Sequence, residues 1–216
     1  GEPDSLLPRF KLRAKVLKGN LPRLFDLLAE IMTESDFSGA KRVRELIDEG
    51  KTGMELSLQR AANQVVAARI AADLTPAGRY AEVGGLPFHD FLRTFKDNFE
   101  ARHAEMQAAF RRILPQIFNA NDLMVSVTAP AADYDEVAAQ LAAFQQKLTS
   151  ETFPVAPYTW EIAPKNEGLM TQSRVQYVAK GANFIKLGFA YTGVLRVLET
   201  LLRYDYFWTR IRVQGG

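Results

Sequence analysis

The sequence predicts an α+β fold in which antiparallel strands are covered by amphipathic helices. Three observations carry this. Residues 10–17 alternate apolar and basic side chains with a period of two, which sets one face on a core and one in water. Residues 123–128, 175–179 and 184–191 are further short runs rich in strand-forming side chains. Most of the remaining chain repeats its apolar residues at helical spacing.

Taken in order, Phe10, Leu12, Ala14 and Val16 are expected to be buried on one face of the first strand, with Lys11, Arg13 and Lys15 exposed on the other. Lys18-Gly19-Asn20 supplies a turn. A helix follows from Leu21, with Pro22 tolerated in its first turn and Leu24, Leu27, Leu28, Ile31 and Met32 as its stripe. Ser38 is placed as the cap of a second helix with Val43, Leu46 and Ile47 inward, and Gly50 and Gly53 predict a break. An alanine-rich helix over 56–73 stops at Thr75-Pro76-Ala77-Gly78. Gly84-Gly85-Leu86-Pro87 forms a loop, and one long helix is expected over 88–113.

The strand at 123–128 precedes a helix capped by Asp133, with Val137, Leu141, Phe144 and Leu148 inward. Prolines 154, 157 and 164 and Gly168 mark a linker, placed at 150–165. Beyond it, residues 175–179 and 184–191 suggest a hairpin around Lys180-Gly181-Ala182-Asn183. Thr192 or Gly193 then opens a last helix with Val194, Leu198, Leu201 and Leu202 inward. The echo of strand-turn-helix by hairpin-then-helix suggests two related halves.

Composition narrows the function. The 216 residues carry 27 Lys+Arg against 25 Asp+Glu and no cysteine. A net charge of +2 does not call for an acidic partner, so neither nucleic acid nor membrane is expected. Without cysteine there is no disulfide, thiolate nucleophile or thiolate metal site. The chain is expected to be soluble, with a cytoplasmic home favoured and a periplasmic one left open. No apolar run approaches the ~20 residues of a membrane span, and Gly1-Glu2-Pro3-Asp4-Ser5 does not open a signal peptide.

Chemistry-bearing motifs are sparse. His89 and His103 stand outside the three- or four-residue spacing that puts zinc ligands on one helix face, and both read as structural histidines. No phosphate loop or nucleophile elbow occurs. Asp90, Asp97 and Glu100, and the basic clusters Lys41-Arg42-Val43-Arg44 and Arg111-Arg112, read as solvated helix faces. Trp160, Trp208, Tyr204 and Tyr206 read as core or domain-interface residues.

The C-terminal quarter adds a resemblance. Residues 173–181 (Ser-Arg-Val-Gln-Tyr-Val-Ala-Lys-Gly), 191–195 (Tyr-Thr-Gly-Val-Leu), Tyr206-Phe207-Trp208 and Ile211-Arg212-Val213-Gln214-Gly215-Gly216 are similar to the presequence-protease branch of the pitrilysin/insulinase zinc peptidases. Leu74-Thr75-Pro76-Ala77-Gly78 and Gly84-Gly85-Leu86 resemble an earlier part of the same proteins. The resemblance implies four homologous α+β domains in two bowl-shaped halves closing around a peptide. Residues 1–149 would be the later part of a non-catalytic third domain, and 166–216 the start of a fourth, cut short.

It also implies a zinc metalloendopeptidase that degrades short unfolded peptides. The zinc motif would lie in a first domain outside this chain, so this part holds no cofactor and no catalytic residue. Its partners would be peptide substrates and the N-terminal catalytic half of the same protein. Arg212 would hold the substrate and stabilise the tetrahedral intermediate, while Gly215 and Gly216 let the backbone approach the peptide. The tyrosine that accompanies this arginine would fall two residues past Gly216. The alternative is a relative without activity, serving as a peptide-binding or structural subunit.

Overall fold

The computed structural model describes residues 6, 8–154, 159–163, 165–170 and 175–215. Eight α-helices organise the described residues: α1 (Leu21–Thr33), α2 (Ala40–Arg60), α3 (Ala62–Leu74), α4 (Pro76–Glu82), α5 (Leu86–Asp97), α6 (Phe99–Ile117), α7 (Tyr134–Gln145) and α8 (Val194–Leu201). The last continues as a π-helix over Leu202–Val213.

The α+β expectation is overturned: among the described residues there is no β-strand and no sheet, only an isolated parallel bridge between Asn119 and Thr149. A period of two fixes the side that each residue takes in an extended chain, but it supplies no partner for the backbone. Residues 8–16 and 123–130 do run without turn or bend. They are aligned in the same direction, since Arg9 meets Met124 and Lys18 meets Asp133, both across 115 residues. No backbone hydrogen bond joins them among the described residues. Unpaired, the first segment leaves its apolar set in solvent, with Phe10 62%, Leu12 45% and Val16 36% exposed. The expected hairpin is a turn at 184–188 without flanking strands.

Two helical cores replace the sheet. In the first, α1 packs on α7 through Phe25, Ala29, Met32, Phe144 and Leu148, with the Phe25 and Phe144 rings 5.5 Å apart. Leu21, Phe25, Leu28, Ala29 and Met32 recur every three or four residues and form one stripe. This is rotated from the expected stripe, and Leu27 and Ile31 are exposed. The inward set predicted for α7 is observed: Val137, Phe144 and Leu148 are buried and Leu141 packs beside them.

In the second core, Ile47 of α2 meets Leu92, Phe95 and Phe99 of α5 and α6. Aromatic side chains at four-residue spacing stack along it, Phe91 to Phe95 at 5.7 Å, Phe95 to Phe99 at 5.9 Å and Phe99 to His103 at 5.0 Å. This packing carries α2 through Gly50 and Gly53 without the expected break. Each glycine costs about 1 kcal/mol of helix propensity, which burial of Ile47 and partial burial of Val43 and Met54 offset. The break falls instead at Asn98, whose side-chain amide donates to the Thr94 carbonyl and divides the expected single helix into α5 and α6. Ser38 does not cap α2; its hydroxyl donates to Asp36.

Candidate functional site

Around the first stretch singled out by sequence, Leu74 to Gly78, the fold is most tightly specified. Thr75 is the N-cap of α4, its hydroxyl accepting the Gly78 N–H at 3.0 Å, and Pro76 occupies the first turn, where its missing N–H costs nothing. The threonine-proline pair therefore ends α3 and starts α4 at once. A Cβ on Gly78 would overlap the Ala71 carbonyl, so only glycine lets α4 fold back onto α3.

A charge cluster bridges this hairpin to the later chain. Arg69 of α3 donates two bonds to the Glu167 carboxylate, from Nε and Nη2, each 2.7 Å, and a third, also 2.7 Å, from Nη1 to Glu82. Arg79 donates to Asp73 at 2.9 Å and stands 4.0 Å from the second oxygen of Glu82. Asp73 and Glu82 are buried, and Glu82 Oε2 has no hydrogen-bond partner. The fork from Arg69 holds the Glu167 carboxyl down at about 2, against an ordinary 4.5. The carboxylates in turn push the arginine up.

Gly181, from the C-terminal stretch singled out by sequence, docks on the same helix. A Cβ there would overlap the Ile70 side chain and touch Leu74. Residues 167 and 181 are thus both seated on α3. Nothing in the period or spacing of the sequence announces Arg69, Glu82, Glu167, Asp73 or Arg79. The only available signal is a set of charges inside otherwise apolar helical stretches.

The three predicted site residues lie elsewhere. Arg212 is in the π-helical run 202–213, and Gly216 lies outside the described residues. Gly215 follows the run, where a Cβ would come within 2.7 Å of the Ile211 carbonyl and 3.0 Å of the Arg210 carbonyl. Its lack of a side chain serves the turn that leaves the helix. Val194, Leu198 and Leu201, expected inward, are exposed, as are Tyr204, Tyr206 and Trp208, expected in a core or interface. Trp160 is half-buried.

His89 lies 3.4 Å from a Glu55 oxygen, and His103 reaches the Phe37 carbonyl at 3.0 Å while stacking on Phe99. Among the described residues no group of three His, Cys, Asp or Glu is arranged to hold a metal. A cleft of about 430 Å³ opens where the end of α1 meets α6, with Met32, Phe37, Gln107, Arg111, Phe118 and Lys147 on its walls. None of the predicted site residues borders it. No helix among the described residues is long and apolar enough to cross a membrane.

Comparison with known proteins covers both singled-out stretches. The family model for the region associated with subfamily C of the sixteenth metallopeptidase family matches residues 1–95, which include Leu74 to Gly78 and Gly84 to Leu86. Protein HypA of Clostridium perfringens (strain 13 / Type A) is 28% identical over 210 residues, covering 97% of this chain and 21% of that protein. Presequence protease 1, chloroplastic/mitochondrial, of Arabidopsis thaliana is 26% identical over 216 residues, covering 99% of this chain and 20% of that protein.

This is a pitrilysin-family peptidase sequence. The chain spans about a fifth of the length of these relatives. The family match places Thr75, Pro76 and Gly78 within the shared region, and in this structure their role there is architectural: they fold α4 back onto α3. In this pitrilysin-family segment, backbone geometry and the Arg69 cluster account for most of the singled-out residues without any chemistry.

Proposed function

We propose that the segment is a non-catalytic part of a zinc metalloendopeptidase acting on short unfolded peptides, and that it contributes chamber wall and peptide contacts. The reading assigns residues 1–149 to a third peptidase domain, 150–165 to a linker and 166–216 to the start of a fourth. The observation that carries it is the match of two large relatives, one named a presequence protease, across 97% and 99% of this chain. The described residues do not fit a zinc centre: the ring of His103 is held by a backbone carbonyl and a phenylalanine, and no ligand cluster accompanies either histidine. No catalytic step is therefore assigned to this segment.

Arg212, Gly215 and Gly216 are the proposed peptide contacts, with Arg212 donating to the substrate as charge develops on its carbonyl. The test is steady-state cleavage of a fluorogenic peptide by the longer protein carrying this segment, comparing Arg212→Ala and Arg212→Lys with the parent. Loss of a donor used in the transition state lowers turnover on the order of 10²–10³-fold. Lysine keeps the charge but loses the planar fork and rescues little. Unchanged kcat and KM in Arg212→Ala, with the fold intact, would return Arg212 to an ordinary surface role. A longer protein that binds such peptides without cleaving them would favour the non-catalytic alternative.

A further inference from the structure

Residues 9–16 combine three features that the peptidase reading does not use. First, Arg9, Lys11, Arg13 and Lys15 stand at every second position of a segment without turn or bend, so they project to one side at intervals of about 6.6 Å. Second, all four are exposed and none has an ion pair among the described residues; Arg9 makes only a 3.7 Å contact to the Met124 sulfur. Third, the backbone N–H and C=O groups of 9–16 enter no backbone hydrogen bond among the described residues. Elsewhere the exposed cations of this chain are largely matched: Arg42 by Glu45 and Glu49, Lys96 by Asp48, Lys147 by Asp26. A row of four without a carboxylate is an exception.

We propose that residues 9–16 form a docking strip for an extended acidic peptide segment. A second extended chain with a carboxylate at every other position repeats its charges at the same interval as the strip. Each carboxylate can then face one base while the two backbones satisfy each other's hydrogen bonds. Charge complementarity selects the occupant's sign, and the spacing selects its conformation. A single-stranded nucleic acid also presents spaced anions, but such sites add aromatic platforms for the bases. The cationic side has none, because Phe10 alternates to the opposite face. The inference is independent of Arg212 and of any peptidase activity.

The experiment uses the 216-residue chain and fluorescence anisotropy at low and moderate salt. The probe is a labelled, end-blocked eight-residue peptide of alternating glutamate and valine. Three controls accompany it: a lysine–valine counterpart, a block peptide with four glutamates followed by four valines, and the alternating peptide N-methylated along its backbone. The alternating acidic peptide should bind about tenfold more tightly than each control. In the triple variant Lys11→Glu, Arg13→Glu, Lys15→Glu the preference should invert toward the lysine–valine peptide. Helix content by circular dichroism should be unchanged, since all three side chains are exposed and lie outside the helices.

Equal binding of the block or N-methylated peptide would overturn strand pairing and leave charge attraction alone. Equal binding of the lysine–valine peptide would overturn the proposal altogether. An octanucleotide that displaces the acidic peptide at equal concentration would assign the strip to nucleic acid. These peptide comparisons stand even if the triple variant misfolds, and they hold whether or not the longer protein cleaves peptides.

Discussion

Glu167→Gln takes one carboxylate from the guanidinium of Arg69, whereas Arg69→Ala takes the guanidinium from two, and the geometry makes the two losses unequal. The Glu167 carboxyl is held at about 2 against an ordinary 4.5, a difference worth about 3 kcal/mol at ~1.4 kcal/mol per unit. Its side chain is 29% exposed, so solvent screening reduces the useful part to about 1–2 kcal/mol. Arg69→Ala also strands Glu82, whose side chain is only 2% exposed and whose second oxygen already has no hydrogen-bond partner. An uncompensated buried carboxylate costs about 3–5 kcal/mol.

The pH dependence has a definite sign. The folded carboxyl titrates below the unfolded one, so its contribution is full above about pH 4.5. It fades as the pH falls from there toward about 2, because the unfolded chain takes up the proton first. Urea unfolding followed by circular dichroism should therefore separate wild type from Glu167→Gln at pH 7 and bring them together near pH 2–3. Arg69→Ala should be the weaker of the two variants at pH 7. Equal midpoints for wild type and Glu167→Gln at pH 7, or a gap that widens on acidification, would refute the electrostatic account of this contact.

Two further substitutions separate kinds of packing. Gly78→Ala should destabilise more than Gly181→Ala in urea unfolding, because the new methyl meets backbone in α3 in the first case and the Ile70 side chain in the second. Ile70→Ala should relieve Gly181→Ala and leave Gly78→Ala unrelieved. In the first core, Phe144→Ala should cost about 3–5 kcal/mol, while Trp208→Ala, on an exposed turn of the π-helical run, should stay within ~0.5 kcal/mol; thermal unfolding distinguishes them.

Signals in the sequence are legible where they act locally. Pro22 and Pro76 both sit in first turns, Thr75 ends one helix, Gly193 precedes α8, and the three- and four-residue spacing of Val137, Leu141, Phe144 and Leu148 marks the face of α7. The failures mostly need a partner distant in the chain. Alternation at 10–17 cannot reveal that the neighbouring extended segment lies 115 residues away and runs parallel without a ladder. Glycines 50 and 53 look like a break because their propensity is local, while the α5 face that holds α2 together is not. At Asn98 the opposite happens: Phe95 and Phe99 keep helical spacing across the junction, so the apolar pattern hides the break. For the candidate site, Arg212 and Gly215 rest on resemblance alone, and the Arg69 cluster has no motif to betray it.

The exposed surface bears on what this segment needs around it. A compact monomer of 24.2 kDa presents roughly 10,000 Å² to solvent, and this chain presents 17243 Å². The excess, on the order of 7,000 Å² against that scaling, is concentrated where the sequence is most apolar yet least packed: Phe10 to Leu17, Met124 to Val127, and Tyr204 to Val213. Each buried Å² of apolar surface is worth about 25 cal/mol, so covering even a tenth of that excess would outweigh the whole Arg69–Glu167 contact. The two small helical cores and the charge cluster on α3 thus fix local geometry. What covers the extended strip and the C-terminal aromatic run has the larger say in stability, and it fits that the matched relatives are about five times as long as this chain.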